Sequence, residues 1–215
     1  GLSSVSDVRV APVVKSLWSQ QTAGGNACYN YYTPPFANNT KTNYPCGCVA
    51  TAMAQLMRFW QYPKTGVGTP SFTISTNGVS FSRSLRGGNG SGGAYSWANM
   101  SLTNNSSTTL AQRQAIGALC HDAGVSVGMA YASGGSSSDT LQSKTAFVST
   151  FGYANAVKGS NSGSTLGAGL SGMANPNLDA GCPVILGITG SAGGHAVVCD
   201  GYGYNAATLY HHVNL

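Results

Sequence analysis

Along the chain, the apolar positions change their period from helical to strand-like. Val49, Ala52, Met53, Leu56, Met57 and Trp60 recur at steps of three and four up to Tyr62-Pro63, which predicts a buried helix over 49–60. The stretch SFTISTNGVSFS alternates weakly around Asn77-Gly78, as a hairpin would, and leads into the Gly-rich GGNGSGGAYSW. A second helix is predicted over 108–123, with Ile116, Leu119, Cys120 and Ala123 inward. A third is predicted over 139–151, with Asp139 as its N-cap. Beyond 155 the chain is rich in Gly, Ser and Asn, and then gives three strands: PVILGI (183–188), HAVVCDGY (195–202) and TLYHHVN (208–214). Residues 21–47 have the composition of a loop, and Val13, Val14, Leu17 and Trp18 would dock a terminal turn onto the body. Helices first and strands last predict an α+β fold, in one domain over 1–215 without internal repeats or a long linker.

Composition narrows the chemistry. Charged residues make up 7% of the 215, with ten Lys and Arg against five Asp and no Glu. So few carboxylates argue against paired acid/base carboxylates and against an oxygen-ligand metal cage. The net charge of +5 is dispersed without a basic run, so no nucleic-acid partner is expected. No apolar stretch approaches the ~18 residues of a spanning helix, and no membrane partner is expected. The Gly/Ser/Asn/Thr-rich surface reads as that of a secreted protein. The start at Gly1, without Met or a signal-peptide pattern, reads as a processed product. Sequons occur at Asn38, Asn89, Asn99, Asn104 and Asn105, as chance predicts in such a composition.

Cysteines at 28, 46, 48, 120, 182 and 199 allow up to three bridges. Cys46-x-Cys48 lacks the second ligand pair that a structural zinc needs, and the adjacent His211 and His212 would point to opposite faces of a strand, so no metal is expected. Cys48 instead falls at the start of the 49–60 helix, where unpaired N–H groups and the helix dipole favour a thiolate. Of the four histidines, His121 sits within a helical pattern as a surface or satisfied residue. His195 follows a Gly run at the start of an apolar strand, with backbone room for a substrate beside the ring. A base imidazole needs an acceptor on its other nitrogen. Asp200 and Asn214 both qualify, Asp200 less well because it projects to the opposite strand face, while Asn214 could return beside His195 on the next strand.

The segments CGCVATAMAQLMRFWQYP, GGHAVVCDGYG and YHHVN, with VAPVVKSLWSQ, CYNYYTP, YSWANM and HDAGVSVGMAY, resemble the streptopain family of secreted bacterial cysteine peptidases, in the papain-like clan. The resemblance implies a papain-like fold, with a mainly helical lobe over about 40–155 facing a β lobe over about 180–215 across the substrate cleft. It implies a Cys–His thiolate–imidazolium pair and a thioester acyl-enzyme, with Cys48 as nucleophile, His195 as base and acid, and Asn214 orienting the imidazole. The oxyanion would meet the Cys48 backbone N–H and one side-chain donor. With no Gln between 22 and 54, that donor is assigned to Asn43, with Lys41 and the backbone as alternatives. Ser136, Ser137 and Ser138, with Gly194, are expected to contact substrate.

Protein or peptide substrates and a removed inhibitory N-terminal propeptide complete the implied picture, that of a secreted, extracellular or periplasmic zymogen product without a cofactor. Against the family pattern the chain reads as shortened, stopping at Leu215, and Asn214 stands nineteen residues after His195 rather than closer. An acyl transferase or a non-catalytic binding module on the same scaffold are the alternatives. Cys28 and Cys46 are spaced for a disulfide, and Cys120, Cys182 and Cys199 are expected to be buried thiols.

Overall fold

The computed structural model describes residues 5–36, 40–191 and 193–214. Gly1, Asn38 and Leu215, on which three of the expectations fell, lie outside the described residues.

The predicted central helix is present as α1, Cys48–Trp60. Every residue from Val49 to Met57 is buried, so α1 is enclosed on all sides rather than laid on a surface. It ends where Gln61 turns left-handed (φ 47°) and donates its N–H back to the last carbonyls. α2, Leu110–Ser126, packs against it and begins in a capping box between Thr109 and Gln112.

After a pair of two-residue strands, β2 (Thr22–Ala23) and β3 (Asn26–Ala27), the hairpin forms as β4 (Ser71–Thr76) and β5 (Val79–Ser84). Asn77 and Gly78 take positive φ (49° and 82°), as a two-residue turn with the strand twist requires. A short strand, β6 (Ala130–Tyr131), adds parallel to β4.

The third helix is shorter than predicted. α3 spans Gln142–Ser149, and the Asp139 carboxylate accepts the Leu141 N–H at 2.9 Å, capping the turn before the helix. α4, Gly167–Asp179, was not predicted. Its glycines and Pro176 read as breakers, yet Ala174 and Leu178 are buried at helical spacing.

The three C-terminal strands are present: β7 (Val184–Gly190), β8 (Gly193–Asn205) and β9 (Thr208–Asn214). β8 is long enough to pair with β7 through its first half and β9 through its second, with a bulge between Cys199 and Gly201. β1, Asp7–Val10, pairs antiparallel with the far end of β8. The N-terminal segment therefore belongs to the C-terminal sheet. α1 lies between that sheet and α2, in a core that includes Met53, Met57, Ile116, Leu119 and Val198.

Of the five carboxylates, Asp122 and Asp200 are fully buried, and each accepts hydrogen bonds on both oxygens. Asp122 accepts the backbone N–H groups of Arg86 and Gly87 and the Tyr95 hydroxyl at 2.7–2.9 Å, which staples the Gly-rich 86–93 loop to α2. It also receives His121 Nδ1–H at 2.8 Å, while Arg83 Nε–H donates to His121 Nε2 at 3.3 Å. His121 is thus a buried, satisfied histidine held in one neutral tautomer.

Burial lowers the pKa of His121 below its ordinary 6.5, with the Asp122 contact opposing. The unfolded chain therefore binds a proton at higher pH than the native one. Stability is full above pH 6.5 and falls as the pH drops below it, toward the native pKa. The urea midpoint should decline between pH 7 and pH 5, and a His121→Gln variant, which cannot titrate, should show a flatter profile over that range.

Candidate active site

The approach to α1 fixes the position of Cys48. Gly47 precedes the helix at φ 93°, a conformation that favours glycine. A Cβ there would also lie 2.7 Å from the Met129 side chain and 3.1 Å from the Ser136 carbonyl. No side chain caps the helix start, so no side chain takes its first-turn N–H groups. Cys48, the first helical residue, is half-buried and lines that cleft. Cys46 turns the other way: it is fully buried, with Sγ 3.3 Å from Thr51 Oγ1. One Gly between two cysteines sends one thiol to the core and the other to the surface.

Facing Cys48 are the start of β8, the end of β9 and an extended strap over 14–20. His195 and Gly194 come from β8. Asn214 is the last residue of β9, opposite Val198. Its Nδ2 donates to the Ser16 carbonyl at 2.6 Å, which leaves Oδ1 as the free acceptor of the amide. A cavity of about 100 Å³ is lined by Gln20, Cys48, Gln55, His195, Ala196 and Asn214 among others. It adjoins an open cleft of about 600 Å³, bounded by Gln20, Gln21 and Thr22 on one side and Gly134, Gly135 and Ser136 on the other.

Several expected residues take other positions. Asn43 is buried away from the cleft, with its Nδ2 donating to the Asn30 and Tyr31 carbonyls at 3.0 and 3.2 Å and its Oδ1 accepting from Thr40. It has no donor left for an oxyanion, and Lys41 is exposed outside the cleft lining. Gln20 instead lines both the cavity and the cleft together with Cys48. It stands 28 residues earlier, beyond the 22–54 interval in which a Gln was sought, because a long loop intervenes.

In the serine loop, Ser136 lines the cleft but its hydroxyl is committed to the Pro45 carbonyl at 2.6 Å. Ser137 pairs through its backbone with Ala130, and Ser138 bonds the Val127 carbonyl, so neither forms the wall; Gly134 and Gly135 do. Asp200 accepts Val14 N–H and His212 Nδ1–H, both at 2.7 Å, and is absent from the cavity lining. All six cysteines are free, so the expected Cys28–Cys46 bridge is not made. Burial pushes the Cys28 thiol up to about 12 and the Cys199 thiol up to about 11. Cys120 is raised by its hydrogen bond to Cys46 and by burial. Cys182 is half-exposed rather than buried. Among the described residues, no group of three or more His, Cys or Asp side chains could hold a metal.

A family model for the Peptidase C10 family matches residues 18–215, which include every side chain of this cavity. The chain belongs to the Peptidase C10 family. Streptopain of Streptococcus pyogenes serotype M1 is 31% identical over 94% of this chain and 53% of its own length. The chain thus spans about half the length of that curated relative. The thiol protease/hemagglutinin PrtT of Porphyromonas gingivalis is 28% identical over 73% of this chain and 18% of its own. Among solved structures, active wild-type interpain A cysteine protease of Prevotella intermedia superposes with TM-score 0.70 at 25% identity, over 95% of this chain and 80% of that one. A prointerpain A fragment from the same organism gives 0.69 at 26%, over 95% and 61%. The C10 fold of this chain is papain-like and α+β.

Because Gly47 is constrained by both its φ and its neighbours, Gly47→Ala should destabilise the fold by about 1–3 kcal/mol, read as a lower urea midpoint. It should also slow alkylation of Cys48, scored by peptide mapping.

Proposed function

We propose that this chain is the catalytic part of a secreted cysteine endopeptidase. The observation that carries this is the convergence of Cys48, His195, Gln20 and Asn214 on one small cavity that opens into a larger cleft. Family membership supports the same chemistry.

In this mechanism His195 takes the Cys48 proton and the thiolate attacks the peptide carbonyl, forming the C–S bond. The oxyanion accepts the Cys48 backbone N–H, at the uncapped helix start, and the Gln20 side-chain amide. His195 returns its proton to the leaving amine as the C–N bond breaks. Water, deprotonated by His195, then hydrolyses the thioester and restores the thiol. Asn214 Oδ1 holds the imidazole by its other N–H, and Nδ2 is fixed on the Ser16 carbonyl. An amide orients the ring without adding charge.

Among the described residues, the cleft walls contain no Lys, Arg or Asp, so the substrate segment beside Cys48 is read as an uncharged extended peptide. The likeness to a prointerpain fragment supports an inhibitory N-terminal propeptide that is removed on activation. Relatives described as proteases of bacteria support an extracellular or periplasmic location.

Cys48→Ala should abolish hydrolysis of a fluorogenic peptide, and His195→Ala should come close to doing so. Gln20→Ala should lower kcat by about 10²–10³ with little change in KM, whereas Asn43→Ala should act on stability and leave kcat per folded molecule nearly unchanged. Equal effects of Gln20→Ala and Asn43→Ala on kcat would contradict the oxyanion assignment. An amide product formed in excess amine, with little hydrolysis, would point to acyl transfer instead.

A further inference from the structure

Gln55 is a polar side chain in the middle of nine consecutive buried residues of α1, where an apolar side chain would satisfy packing. It is 2% exposed. Positions 48, 52 and 55 share one helical face, and all three residues line the cavity. Gln55 therefore stands on the nucleophile's own face, two turns along, about 10 Å of helix rise from Cys48.

Its Oε1 accepts two hydrogen bonds from the strap: Ser16 Oγ–H at 3.0 Å and Trp18 N–H at 3.3 Å. The backbone donor fixes the amide orientation, since only the oxygen can receive an N–H. The strap is extended, with Val14, Ser16 and Trp18 buried and Lys15 and Leu17 between them exposed. The residue bonded by Gln55 through its hydroxyl, Ser16, is the same one whose carbonyl holds Asn214. Two residues past Trp18, Gln20 lines the cavity and the cleft, and its carbonyl accepts Cys46 N–H at 2.9 Å. Thr51 Oγ1 adds a contact to the Ser19 carbonyl at 3.1 Å.

We propose that Gln55 is a positioning residue for the peptidase reaction. It ties the strap to α1 midway between the Asn214 anchor and Gln20, and so sets both partners against Cys48. The inference rests on the peptidase reading for its turnover prediction. Its ligand is internal: the Ser16 hydroxyl and the Trp18 amide, acting through Asn214 on His195 and through the strap on Gln20.

Gln55→Met keeps the length and apolar contacts but removes the acceptor. Gln55→Glu keeps the acceptor. Both are compared with the parent protein by two readouts: kcat for a fluorogenic peptide per alkylatable Cys48, and the rate constant of Cys48 alkylation by iodoacetamide. Gln55→Met should lower both about tenfold with KM changed less than twofold, and Gln55→Glu should recover most of the loss. Ser16→Ala, which removes one of the same bonds from the strap side, should lower both values in the same direction. Added to Gln55→Met, it should cost little more.

A residue that only supports packing would reduce the alkylatable fraction and leave both rates per site unchanged, and that result overturns the proposal. If Gln55→Met does not fold, Ser16→Ala alone decides, since unchanged rates there overturn it as well. A parent that alkylates at Cys48 but hydrolyses no peptide refutes the peptidase reading, and the alkylation comparison still decides on Gln55.

Discussion

The site depends on one extended strap that belongs to neither half of the molecule. Residues 14–20 have no sheet partner of their own along most of their length, so their backbone groups are satisfied by side chains and backbone from both sides. Asp200 of β8 takes the Val14 N–H, and Asn214 of β9 reaches the Ser16 carbonyl. From α1, Gln55 takes the Trp18 N–H and Thr51 reaches the Ser19 carbonyl. Just ahead of the helix, the Cys46 N–H meets the Gln20 carbonyl. The helix of Cys48 and the sheet of His195 are thus registered against each other through a third element, in addition to their direct packing.

That arrangement explains the use of scarce polar groups. The protein has five carboxylates, and two are spent inside it, one on the strap and one on the Gly-rich loop. Each accepts backbone N–H groups for which no regular secondary structure provides a partner. Buried charge is costly unless hydrogen-bonded, and Asp122 meets four donors and Asp200 two, all at 2.7–2.9 Å.

Much of the fold was legible because the signals were strong and local. α1 shows in a sustained three- and four-residue period, the 77–78 turn in Asn-Gly, and the last three strands in β-branched runs. What was missed is long-range or masked by composition. β1 forms only because β8 extends far enough to receive it. α4 is hidden by three glycines and a proline that tertiary contacts override at Ala174 and Leu178.

In the site, Cys48, His195 and Asn214 could be nominated from their neighbours in sequence, whereas Gln20 could not, because its distance from Cys48 depends on the length of an irregular loop. Asn43 had the right chemistry and the wrong fate, since the same loop consumed its amide internally. Gln55 carried a signal, a lone amide in an apolar helix, but its partners are 37 and 39 residues away.

The divergence of the two thiols around Gly47 has a practical side. Packing acts here as a chemist's protecting group: Cys28, Cys46, Cys120 and Cys199 are buried, and only Cys48 and Cys182 stand open to a reagent. A single Cys182→Ser replacement therefore turns the molecule into one with a unique addressable handle, located at the base of its own cleft. A fluorophore, spin label or cross-linker attached there reports from the start of α1 without any further engineering of the chain.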